Sequence, residues 1–182
     1  MIEKNHMKSI KINKNKGILF WITGLSGSGK TSNAKLVKNK ISRLYGPTVI
    51  MSGDDLRKIL NLKSYDKDSR LQNGIKFSKL CKFITNQNIN VIFAVVGLFD
   101  KIRLQNKKNI NNYVEIYIKS NIKKIIKKKK KKIYFKNQKN IVGIDIAPEF
   151  PKRPHITVEN NFKKPMKKLS VEVINKILKI IK

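Results

Sequence analysis

Residues 17–31 read Gly17-Ile-Leu-Phe-Trp-Ile-Thr-Gly-Leu-Ser-Gly-Ser-Gly-Lys-Thr31. The opening part, Gly17–Thr23, is apolar, β-branched or aromatic and has the length of a strand. It runs directly into Gly24-x-x-x-x-Gly29-Lys30-Thr31, and Ser32–Leu44 follows with Ala34, Val37, Ile41 and Leu44 at helical spacing. A strand, a glycine-rich turn of this pattern and a helix, in that order, make a phosphate cradle, the P-loop. Glycines let the loop wrap so that backbone N–H groups point inward. The helix adds the positive end of its dipole. Lys30 is placed to reach β- and γ-phosphates, and the Thr31 hydroxyl to take a Mg²⁺ position. The residues expected to hold the nucleotide are Gly24, Leu25, Ser26, Gly27, Ser28, Gly29, Lys30, Thr31 and Ser32.

Outward from this stretch, Thr48–Met51, Asn90–Val96, Tyr113–Ile118 and His155–Val158 read as further strands. Helical patterns fall between or after them, at Leu71–Asn86, Lys101–Asn109 and Lys167–Lys182. Strands that alternate with helices and are apolar on both faces predict an α/β fold, a doubly wound parallel sheet with helices on both sides. Ligands of such sheets sit at the carboxyl ends of the strands. That rule gathers Gly24–Thr31, Ser52–Asp55 and Gly97–Asp100 around one crevice. Residues 17–182 are expected to form a single domain and 1–16 a flexible basic leader. The irregular segment 127–154 reads as a lid or a solvated loop.

The chain has 182 residues, 42 of them Lys or Arg and 11 Asp or Glu, for a formal net charge of +31. Lysine is spread along the whole chain and far outnumbers arginine, a pattern that A- and T-rich codons produce without selection for a polyanion. Nucleic acid is therefore not the expected partner. The field still favours small anions. No apolar run is long enough for a membrane span, and Cys81, the single cysteine, suits a reducing cytoplasm. Cys81 and Trp21 read as core, and His155 as a structural residue at a strand edge.

The pattern Asn-Lys-x-Asp expected of a GTPase is absent, and the third strand ends without an acidic residue. Asp54 and Asp55 are the nearest carboxylates. A carboxylate there serves to accept a substrate proton or to hold a magnesium water. The alternative for Asp55 is the N-cap of a short helix, Leu56–Leu60.

Taken together, these residues resemble the adenylylsulfate (APS) kinases. Phe20–Thr31 is similar to that family's Phe-Trp-Leu-Thr-Gly-Leu-Ser-Gly-Ala-Gly-Lys-Thr, and Ser52-Gly-Asp-Asp-Leu-Arg57 to its Asp-Gly-Asp-Asn-x-Arg. Arg70-Leu-Gln-Asn73 resembles its Arg-x-x-Asn, and Ile144-Asp145, Glu149 and Pro151 echo Gly-Ile-Asp-x-x-Tyr-Glu-x-Pro. The resemblance implies phosphoryl transfer from Mg·ATP to the 3′-hydroxyl of APS, with Lys30 and Asp54 catalytic and Thr31 and Asp54 toward the metal. It further implies that Arg57, Tyr65, Arg70, Asn73, Lys131 and Ile141 face the acceptor. A homodimer is compatible with it.

Several acceptor-side positions depart from the family pattern. Ser52 replaces its first Asp, Gly97 its Ser, Asp100 an Arg, Ile75 and Lys76 a pair of Arg, and Ile141 a stacking Phe. Asp for Arg beside an anion reverses local charge, and a lost stacking ring removes about 1–3 kcal/mol of base affinity. Three readings stand: an APS kinase, a 3′-hydroxyl kinase of another nucleotide-linked molecule such as cytidine diphosphoramidate, or a non-catalytic nucleotide- and nucleic-acid-binding protein.

Overall fold

The computed structural model describes residues 9–128, 134 and 139–181. Five strands, β1 (Leu19–Thr23), β2 (Thr48–Ser52), β3 (Asn90–Ala94), β4 (Tyr113–Lys119) and β5 (Ile156–Glu159), form one parallel sheet in the order β2-β3-β1-β4-β5. The helices among the described residues are α1 (Lys30–Tyr45), α2 (Gly53–Ile59), α3 (Lys67–Thr85), α4 (Asp100–Asn109), α5 (Ile122–Lys127) and α6 (Met166–Ile180).

Side chains alternate across the pleat, so β1 feeds two cores. Phe20 and Ile22 join Val37 and Ile41 of α1 and Val173 and Ile177 of α6 on one face. Leu19 and Trp21 join Phe77 and Cys81 of α3 and Ile102 of α4 on the other. Every residue of β1 and β3 is buried, as a strand covered on both faces requires. The expected α/β architecture is therefore present, and Cys81 and Trp21 are core residues at 0% exposure.

The differences from expectation are local. α2 begins at Gly53, not Leu56, and Ser52 is its cap: the Ser52 Oγ accepts the Asp55 N–H at 3.1 Å and donates to the Asp55 carboxylate at 2.6 Å. β3 ends at Ala94, so Val95 and Val96 belong to the loop that follows. α5, unanticipated, buries Ile125. Of the expected leader, residues 1–8 lie outside the described residues; in the rest, the Ile10 N–H donates to the Ile180 carbonyl and the Asn112 side chain caps the turn at Asn13–Lys16. The described end of the expected lid packs on the body: Val142 and Ile146 enter the second core, Ile141 is buried beside them in sequence, and Phe150 meets the Tyr117 ring. Among the described residues no helix is long and apolar enough to cross a membrane.

Candidate active site

A cavity of ≈630 Å³ opens at the carboxyl ends of β1, β2 and β3. Its floor is the P-loop. Gly29, at φ +97°, turns the chain into α1, and a side chain there would run into Met166 at 2.5 Å and Asn160 at 3.2 Å. α1 has no side-chain cap and no acidic residue in its first turn. Its positive end therefore faces the cavity with no carboxylate of its own first turn to offset it. Lys30 is buried and its Nζ donates to the Leu25 carbonyl at 2.8 Å, lying along the curl of its own loop.

One arm of the cavity runs toward α2 and α3. Asp54, exposed on the first turn of α2, lines it, as do Arg57, Tyr65 and Arg70. The two guanidinium groups lie 4.5 and 5.1 Å from the Tyr65 ring centre, within cation–π range. Backbone carbonyls fix them there: Arg57 donates to Ser64 at 2.8 Å, and Arg70 donates to Tyr65 at 2.6 Å and Asn140 at 2.9 Å. Burial, with Arg57 close by, pulls the Arg70 pKa below the ordinary arginine range. Two cations held this close favour a strongly anionic ligand. Trp21, Phe77, Phe99 and Ile102 make the inner end apolar.

The other arm was not legible as a motif. Asn160, Phe162, Lys164 and Met166, between β5 and α6, line it. Asn160 is buried and fully engaged: its Nδ2 donates to the Ser28 carbonyl at 2.8 Å, and its Oδ1 accepts the Phe162 N–H at 3.0 Å. It clasps this loop to the P-loop. Phe162 adopts φ +63°, a conformation bulky residues rarely hold. Opposite, the Tyr134 hydroxyl donates to the Ser26 carbonyl at 2.8 Å, and burial pushes its pKa up to about 12.

Of the expected site residues, Ser26, Gly27, Gly29, Lys30, Thr31, Ser32, Asp54, Arg57, Tyr65 and Arg70 meet in this cavity. Gly24, Leu25 and Ser28 shape the loop without lining the wall. Asn73 is buried just before Gly74, which does line it. Ile141 stands apart: it is 5% exposed, and its carbonyl accepts the N–H groups of Ile144, Asp145 and Ile146. It anchors a tight turn and does not line the cavity. Lys131 lies outside the described residues. Asp55 also lines the cavity, with its carboxylate accepting the Ser52 hydroxyl at 2.6 Å. Asp100 is not among the cavity-lining residues; its half-exposed carboxylate pairs with Arg103.

A P-loop at the carboxyl end of the central strand of a parallel sheet, with a cationic arm of the cavity on one side, defines a P-loop kinase. The chain belongs to the adenylylsulphate kinase family, whose model matches residues 16–159, and is thus a phosphotransferase. It is 36% identical over 169 residues to the cytidine diphosphoramidate kinase of Campylobacter jejuni, covering 91% of this chain and 98% of that protein. To the adenylyl-sulfate kinase of Clostridium acetobutylicum it is 34% identical over 155 residues, covering 82% and 78%. In fold it is similar to the APS kinase of Mycobacterium tuberculosis in complex with AMPPNP and APS, with a TM-score of 0.79, 24% identity, and coverage of 90% and 98%.

Proposed function

We propose that the protein transfers the γ-phosphoryl group of ATP to the 3′-hydroxyl of a small anionic nucleotide. The observation that carries this reading is the joining, in one cavity, of the P-loop with Asp54 and the Arg57–Tyr65–Arg70 cluster. ATP phosphates rest on the loop amides and the α1 terminus, and Lys30 turns from the Leu25 carbonyl to meet them. The acceptor's anionic groups lie on Arg57 and Arg70. Its hydroxyl oxygen attacks the γ-phosphorus, the bond to the β-phosphate oxygen breaks, and Asp54 takes the proton. Among the described residues no group of three or more His, Cys, Asp or Glu can hold a metal. The Thr31 hydroxyl and the Asp54 carboxylate, both in the cavity wall, fit Mg²⁺, which keeps most of its shell in water and phosphate oxygens. When bound, the ion supplies neutralising charge to the phosphates.

For the acceptor, we favour a cytidine diphosphoramidate-type nucleotide over APS. Ile141 is folded into the core at a place where the APS kinase pattern has a stacking Phe, and the relative matched over nearly its whole length acts, by its name, on such a molecule. APS remains the second reading, favoured by Arg57, Tyr65 and Arg70 all facing one arm. Assaying ADP release from Mg·ATP with each acceptor in turn tests both. No release with any nucleotide carrying a free 3′-hydroxyl contradicts the proposal.

A further inference from the structure

The wall of the acceptor arm formed by residues 96–99 is gripped through its carbonyls. The Val96 carbonyl accepts the Thr23 hydroxyl, the Gly97 carbonyl accepts Arg103 Nη1 at 3.1 Å, and the Leu98 carbonyl accepts the Glu149 N–H at 3.0 Å. The wall lies close against an indole: Gly97 has φ +48°, and a side chain there would sit 3.2 Å from Trp21 Nε1. Arg103, with its side chain 4% exposed, reaches beyond the wall to Asp100 and, at 3.1 Å, to Glu115 Oε1. Glu115 is buried on β4, level with Trp21 on β1.

We propose that Arg103 is a positioning residue for the acceptor: braced by Glu115 and Asp100, it fixes the 96–99 wall through the Gly97 carbonyl and so sets acceptor affinity. The inference rests on the acceptor arm assigned above. Arg103 is the only one of these grips that a protonation near neutrality can slacken. Burial pushes the Glu115 carboxyl up to about 7, against the opposing pull of Arg103 and Lys107. The groups facing it are Arg103, Lys107 and Asp100 from α4, Tyr113 on its own strand, and His155, whose Nδ1 accepts the Glu115 N–H at 2.8 Å. Burial and Lys107 keep His155 below its ordinary value. Below pH 7 a neutral Glu115 no longer balances Arg103, and the wall is free to shift; above it, the brace is complete.

Trp21 is the chain's single tryptophan, so its emission reports the wall directly. With the full-length protein and no ligand, wild type should show an emission change with a midpoint near pH 7 that E115Q lacks. In turnover assays with Mg·ATP and with APS and cytidine diphosphoramidate as acceptors, the acceptor KM of wild type should rise about threefold or more from pH 8 to pH 6. E115Q should show a flat, elevated acceptor KM, with the KM for ATP unchanged. Arg103→Lys, which keeps charge but loses the fork, should show the same split and serves if E115Q folds poorly. Identical emission profiles in wild type and E115Q, or a KM for ATP that moves as far as that of the acceptor, overturn the inference. The emission arm needs no turnover, so absence of transfer counts against the acceptor reading alone.

Discussion

Two adjacent aspartates end up with different work because a serine precedes them. Ser52 caps α2 and shares a reciprocal pair of hydrogen bonds with Asp55; both aspartates line the cavity, and Asp55 is the one whose carboxylate the cap engages. Asp55→Ala should therefore cost about 1 kcal/mol of stability, as loss of a cap partner does, while turnover by the folded protein holds; a thermal melt beside an ADP-release assay checks it. Asp54→Asn should do the reverse, lowering turnover about a hundredfold or more with little change in ATP affinity or melting temperature. Lys30→Ala should abolish transfer in a chain that still folds. Near-native turnover in that variant contradicts the phosphate cradle.

At the level of elements, the loop between β5 and α6 belongs to the site as much as the P-loop does. Asn160→Ala removes the donor to the Ser28 carbonyl and should destabilise the fold by about 1–3 kcal/mol. Calorimetric titration should show weaker ATP binding, with acceptor binding little changed. Equal weakening of both contradicts the clasp. The sequence made β1, the P-loop and α1 plain because period and motif coincide there. The same strand-end rule that gathered Ser52–Asp55 also reaches Asn160–Met166, but that loop carries no motif of its own. β3 is shorter than its apolar run because Val95 and Val96 are as apolar as the strand they follow; Gly97 at φ +48° ends the run. Ile141 could not be placed from sequence, since an apolar residue after a lysine-rich stretch suits a core or a binding face equally. Three-dimensional packing decides it.

Over the whole molecule, a chain with a formal charge of +31 draws anions toward a cavity already edged with arginine. Acceptor KM should rise with ionic strength while kcat holds, because screening weakens steering and not chemistry. Stability carries its own pH signature. Glu115 has a folded pKa of about 7 against an ordinary 4.5, so between those values the unfolded chain releases a proton the folded chain keeps. Rising pH therefore lowers stability across that window, by an amount on the order of 1–3 kcal/mol from this group, and the loss levels off above pH 7. Subtracting the melting temperatures of E115Q from those of wild type at pH 5 and pH 7.5 isolates the effect. Parallel curves contradict the buried ionisation.

The central claim is a kinase with an intact phosphate cradle and a rewritten acceptor arm. Measuring ADP release from Mg·ATP with purified protein, first with APS and then with cytidine diphosphoramidate at equal concentration, tests it most directly. Faster turnover with the cytidine nucleotide is the predicted result. Efficient turnover with APS and none with the cytidine nucleotide contradicts the rewritten arm, and silence with both in a protein that binds ATP contradicts the account of the acceptor altogether.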